Sequence, residues 1–252
     1  MTPATREGIF MLRRLTLFSA AAAVAATLAA PALAGHSWGN YHWARTSNPF
    51  TVPLGDNVTN TATSNWEAAL GKASSDWTAS SVLDSPVVPG STTGRKCRAS
   101  NARIEVCNAR YGFNGWLGLA QIWTSGSHIV KATAKMNDSY LDSSSYNAVA
   151  KQHVMCQEVG HGYGLGHQDE SGADLNTCMD YADALDNPSP NAHDYEQLET
   201  IYNGHLDSTS TVSAVPAGSG RVIRAEHGLR HSYIVESLGN GFLRHTFVVK
   251  AF

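Results

Sequence analysis

The sequence predicts an α+β chain. It should hold a twisted mixed β-sheet, a long helix that carries most of the chemistry, a C-terminal helix and a short C-terminal β-hairpin. Three observations support this. Apolar runs with strand character fall at 103–108, 117–123 and 128–137. Helical spacing recurs over 65–78, after Ser143 and after Pro190. Asn240-Gly241 stands between two apolar runs, which is a strong hairpin-turn signal.

Taken in order, residues 1–34 read as a secretion signal. Arg13-Arg14 precede an apolar run from Leu15 to about Ala30, and Ala32-Leu33-Ala34 is a small-x-small cleavage pattern. The mature chain would begin at Gly35 and be extracellular. The rival reading is a membrane anchor, disfavoured because the run is short and rich in Ala. Met11 is an alternative start. No other segment is apolar enough to span a bilayer, and nothing in the charge balance, formally −3, points to a nucleic-acid partner.

The main domain is placed at 35–207. Gly35–Asn60 reads as an extended N-terminus packed on the domain, with His36 and His42 as surface residues. Ser64-Asn65-Trp66-Glu67 has capping-box spacing, with Ser64 as the cap. Trp66, Leu70, Ala73 and Trp77 then mark the buried face of a helix. Ser85–Gly94 is a loop on its Pro and Gly content. Strands follow at 103–108 and 128–137, with Leu117–Trp123 between them. Ser143-Ser144-Ser145 opens the long helix, which should reach Gly162 or Tyr163. Pro190 opens the last helix, with Tyr195, Leu198, Ile201 and Tyr202 as its buried stripe and Gly204 as its cap. Ser208–Gly220 is a Ser/Thr/Gly-rich linker. The tail, 208–252, ends in strands at 233–238 and 242–249. It is too small to fold alone, so it docks on the domain or forms a partner surface.

Four cysteines in an exported chain indicate two disulfides. Three pairings are open. The favoured one is Cys97 with Cys107 and Cys156 with Cys178. Metal ligation by Cys156 and Cys178 is the alternative.

The chemistry concentrates at 157–167, which reads Gln-Glu-Val-Gly-His-Gly-Tyr-Gly-Leu-Gly-His. Gln157 and His161 are four apart, one turn along a helix on one face, where two ligands can hold one metal ion. Glu158 follows at once and is placed to accept a proton from water on the metal's open side. Gly164 can adopt the left-handed conformation that ends a helix sharply. The chain can then return His167 as a third ligand.

This stretch resembles H-E-x-x-H-x-x-G-x-x-H, the signature of the metzincin zinc peptidases, and their matrixin-like branch most closely. Gln157 replaces the first His. Asn176-Thr177-Cys178-Met179-Asp180-Tyr181 resembles the Met-turn of that family, 12 residues beyond His167. The resemblance covers roughly 100–205. It implies Zn²⁺ held by Gln157, His161 and His167, Glu158 as general base, Met179 beneath the metal and Tyr181 near the oxyanion. It also implies that Gly118, Leu119, Ala120 and Gln121 lie on an edge strand that pairs with an extended peptide. The activity implied is that of a monomeric secreted endopeptidase acting on protein or peptide. An amide oxygen is a weaker zinc donor than imidazole, so three arrangements stay open at Gln157. It ligates weakly, it is replaced by Tyr181 or water, or the site has no ion and the protein binds peptides or cell-surface polymers without cutting them. Asp169 and Glu170 offer calcium ligands, although a solvated acidic loop is the simpler reading.

Overall fold

The computed structural model describes Met1 and residues 36–169, 171–181, 184–216 and 218–251. The predicted signal, 1–34, lies outside the described residues apart from Met1. No described helix is long and apolar enough to cross a membrane.

The N-terminal part is not merely extended. It contributes β1 (His42–Trp43), β2 (Phe50–Thr51) and β3 (Leu54–Asn57), the last an interior strand of the main sheet. Helix α1 (Trp66–Thr78) buries Trp66, Leu70, Ala73 and Trp77, the expected stripe. Its cap is Asn65, whose side chain accepts from the Ala68 amide. Ser64 instead donates to Asp142 at 3.1 Å. Asn caps a helix as well as Ser does, so a cap one residue later costs nothing and frees Ser64 for tertiary contact. Short strands β4 (Leu83–Asp84) and β5 (Val87–Pro89) lead to β6 (Ile104–Ala109), β7 (Trp116–Ser125) and β8 (His128–Asn137).

After the one-turn α2 (Asp138–Leu141), helix α3 (Ala148–His161) carries the motif. It is capped by Asn147, which accepts from the Ala150 amide, so the serines at 143–145 precede the helix. Every residue of α3 from Ala150 to His161 is buried, including Gln152, His153, Gln157, Glu158 and His161. A helix that is polar yet enclosed all round is not stabilised by an amphipathic stripe. It is held between α1 on one side and β7 and β8 on the other. Burial of Val154, Val159, Leu117 and Ile122 supplies roughly 1.5–3 kcal/mol for each side chain. Helix α4 (Ala192–Asn203) closes the domain with a capping box between Asn191 and Asp194.

The tail holds three strands, β9 (Arg221–His227), β10 (His231–Gly239) and β11 (Phe242–Lys250), where two were expected. The β10–β11 turn uses Asn240 and Gly241 at φ 51° and 78°, the left-handed region that Asn-Gly favours. The main sheet runs β5-β3-β6-β8-β7-β11-β10-β9, with β1 also pairing β8. Neighbours are parallel from β5 to β8 and antiparallel from β8 to β9. The sheet is therefore mixed, as expected, but β7 is not its edge. β11 pairs along it, setting Gln121 opposite Thr246, Ala120 opposite Phe247, Leu119 opposite Val248 and Gly118 opposite Val249. An open edge strand offers unpaired amides and carbonyls. The tail has an apolar face, Val235, Phe247 and Val249, that it cannot bury alone. Docking it on β7 meets both needs, and residues 34–252 form one compact unit.

Candidate metal centre

Helix α3 presents Gln157 and His161 from successive turns, and the chain after it reverses at Gly164, φ 91°. A side chain at Gly164 would collide with the Tyr41 carbonyl, so the turn is also sterically closed to larger residues. The reversal brings His167 back to His161, ring centroids 4.6 Å apart and nearly perpendicular. His161 Nδ1 lies 2.9 Å from the Leu165 carbonyl. A carbonyl only accepts, so Nδ1 carries the proton and Nε2 presents a lone pair. Gln157 is fixed in the same way. Its Nε2 donates to the Asp180 carbonyl at 2.9 Å, which leaves Oε1 as the free end of the amide.

Five atoms here are buried without a hydrogen-bond partner: Gln157 Oε1, both oxygens of Glu158, His161 Nε2 and His167 Nε2. Leaving a buried polar group unsatisfied costs about 1–3 kcal/mol. Gln157 Oε1 and His161 Nε2 are acceptors by virtue of their fixed partners, the Glu158 oxygens accept when ionised and His167 Nε2 accepts in one tautomer, so a cation would suit the set. Burial drives the His161 pKa down to about 3 and that of His167 well below its ordinary value. Both rings are thus neutral, the form that ligates. Burial also raises Glu158 well above the carboxylate range. A neighbouring positive charge works in the opposite direction.

Met179, expected as the floor, packs against α3 at Gly160. A methyl on Gly160 would come within 2.6 Å of the Met179 sulfur and of Trp77, so Gly160 is the residue that lets α3 approach the 176–181 segment. The disulfides are Cys97–Cys107 and Cys156–Cys178, the favoured pairing, which excludes both cysteines of the second pair as metal ligands. The second bond joins the residue before Gln157 to the residue before Met179. Tyr181 lies tilted against His167, ring centroids 3.6 Å apart, and stacks on His231 of β10 at 4.0 Å.

The structure brings His161 and His167 ring to ring, with Gln157 and Glu158 on the same buried helix and Met179 beside Gly160. The expected peptide-binding strand does not stand open. Gly118 faces Glu158, and Gly118–Gln121 are paired to β11. Phe247 of β11 lies against His161 at 4.9 Å. A cavity of about 400 Å³ remains beside the centre, lined by Trp38, His167, Tyr181, His231, Tyr233 and Phe247 among others. The tail residues of this lining were not expected, because a β-strand's partner is not written in its own sequence. The alternation of Phe247 and Val249 was the available signal. Asp169, for which calcium ligation was the lesser reading, spends its carboxylate on the Ser171 amide, the Ser171 hydroxyl and the Ala173 amide, at 2.8, 2.5 and 3.0 Å. It closes its own loop. Glu170 lies outside the described residues.

No family model matches the chain, and no curated protein matches it. Among solved structures, it is similar to the crystal structure of archaemetzincin from Methanopyrus kandleri. That match has 11% identity and a TM-score of 0.37, over 65% of this chain and 96% of the other.

Proposed function

We propose that this chain is a secreted zinc-dependent endopeptidase. The observation that carries the reading is that Gln157, Glu158 and His161 on one buried helix, with His167 returned against His161, hold five buried side-chain atoms without hydrogen-bond partners. Gln157 Oε1, His161 Nε2 and His167 Nε2 would hold Zn²⁺. When bound, zinc supplies Lewis-acid polarisation and acidifies water. Glu158 takes the proton of the attacking water as it adds to the scissile carbonyl, then delivers that proton to the leaving amine as the C–N bond breaks. The Leu165 and Asp180 carbonyls keep His161 and Gln157 in register, and their hydrogen bonds fix which atom each presents. Tyr181 lies beside His167, where its hydroxyl can serve the developing oxyanion. Two disulfides suit an oxidising, extracellular setting. A peptide can use Gly118–Gln121 only after β11 leaves them.

A second reading is favoured by that same pairing. The chain would grip peptides or cell-surface polymers without cutting them, with β11 as the resident occupant of the strand edge. Zinc content and casein hydrolysis of the purified mature chain separate the two. One equivalent of zinc that is lost in His167→Ala, with hydrolysis lost in Glu158→Gln, supports the peptidase. Hydrolysis that persists in Glu158→Gln removes the assigned base. Zinc bound without any hydrolysis favours the binding protein.

A further inference from the structure

His42 was expected at the surface and is buried, with a ring pinned from one side. Its Nδ1 lies 2.6 Å from the Asn40 carbonyl. That acceptor requires the proton on Nδ1, so in the neutral ring Nε2 is a bare lone pair. This lone pair does not face a donor-rich pocket. It lies 3.5 Å from Asp207 Oδ1 and 3.2 Å from His205 Nε2. His205 Nε2 is in turn 3.9 Å from the same carboxylate oxygen. We infer that His42, His205 and Asp207 form a second metal site, for a divalent cation of the imidazole-preferring, zinc type.

The spacing supports this. Tetrahedral zinc with bonds of about 2.0–2.1 Å holds its donor atoms about 3.3 Å apart. The three separations bracket that figure, so an ion fits among these atoms with small side-chain adjustments. The environment supplies the orientation a ligand carboxylate needs. Asp207 Oδ2 accepts from the Arg45 amide at 3.1 Å and from Arg45 Nη1 at 3.2 Å. His128 Nε2, at 3.0 Å, is the outer partner of Oδ1. Arg45 is itself anchored on the Tyr202 and His205 carbonyls, both at 2.6 Å. Arg45 thus holds Oδ2 from behind, while Oδ1, which His128 also contacts, faces the imidazoles of His42 and His205. The His205 side chain is 48% exposed, which gives an entry path, whereas His42 is enclosed at 6%.

The three ligands come from two distant segments of the chain. His42 is in β1, and His205 and Asp207 follow α4. An ion would clip the N-terminal segment to the last helix. The same segment carries Trp38 into the cavity beside His167. The site is thus structural, and nothing in the peptidase reading uses it.

The test takes the purified mature chain, strips it of metal, and dialyses it against Zn²⁺. His205→Ala is the main variant, because it removes a half-exposed ring and keeps the backbone carbonyl that Arg45 uses. His205→Ala should bind one equivalent less than the parent. In a His167→Ala background, zinc should still raise the unfolding temperature, and adding His205→Ala should abolish the rise. A parent that binds no zinc overturns the proposal. So does a His205→Ala chain that binds as much as the parent, which would leave these groups as a hydrogen-bonded ion cluster. If His205→Ala loses an equivalent and His167→Ala loses none, the second site stands and the catalytic reading falls.

Discussion

Gly118 of β7 lies directly against the carboxylate of Glu158 on α3. A methyl group at 118 would strike Glu158 Oε1 and the Val154 side chain. The backbone of the strand thus forms one wall of the space in which the assigned base moves. Gly118→Ala should displace that carboxylate. Misplacement by about 1 Å can cost about 10²-fold in rate. Casein hydrolysis should fall on that scale while zinc content stays near the parent's. Unchanged hydrolysis would show that Glu158 does not need this wall.

Gln157 should be the weak member of the ligand set. Gln157→His should tighten apparent zinc affinity roughly tenfold, about 1.4 kcal/mol, because imidazole is the better zinc donor. Gln157→Ala should weaken it. It should also lose about 1 kcal/mol of stability with the hydrogen bond to Asp180. Chelator competition measures the first effect and urea unfolding the second. Equal affinity in all three chains would exclude residue 157 from ligation.

The Cys156–Cys178 bond ties α3 to the Met179 segment. Replacing both with Ala should lower stability by about 2–5 kcal/mol. It should weaken zinc retention as well, since Gln157 and the floor would no longer be joined. Denaturant midpoints and metal content check the two parts. A stability loss without any change in zinc would confine the bond to a folding role.

Phe247 anchors the tail on β7, opposite Ala120. Phe247→Ala should loosen that docking, at a cost of about 3–5 kcal/mol for a core aromatic. The amides of Gly118–Gln121 should exchange faster with deuterium, and casein hydrolysis should rise if the tail restrains the site. Unaltered exchange would mean that the strand pairing survives without this anchor.

Asp138 is buried beneath Trp66 and Asn108, at 2.9 and 2.7 Å. Burial is the main cause that raises its pKa to about 6, against the hydrogen bonds that lower it. A carboxyl with a raised folded pKa favours folding when protonated. Its contribution is complete below the unfolded value, about 3.9, and is lost as pH rises through about 6. Carbon-detected NMR should place the Asp138 midpoint near 6, and a midpoint near 4 would refute the burial argument.

Local chemistry was legible in the sequence. The spacing of Gln157, Glu158 and His161, the turn at Gly164, the return of His167 and both disulfide pairs depend on short-range geometry or few alternatives. Helix α1, strand β8 and the Asn240-Gly241 turn followed for the same reason, since period and turn type are written within a dozen residues. What lay beyond reach was long-range partnership. Pairing between β7 and β11 joins positions more than a hundred residues apart, so no local pattern marks Gly118–Gln121 as covered. His42 looked like a surface histidine because burial is a property of what packs on a residue. Only the folded chain brings it to His205 and Asp207, more than 160 residues away. The order of residues determined which groups could ligate and which could take a proton. Tertiary packing alone decided which groups are buried, which atoms are left without partners, and that the chain's own tail lies along the strand expected to bind peptide.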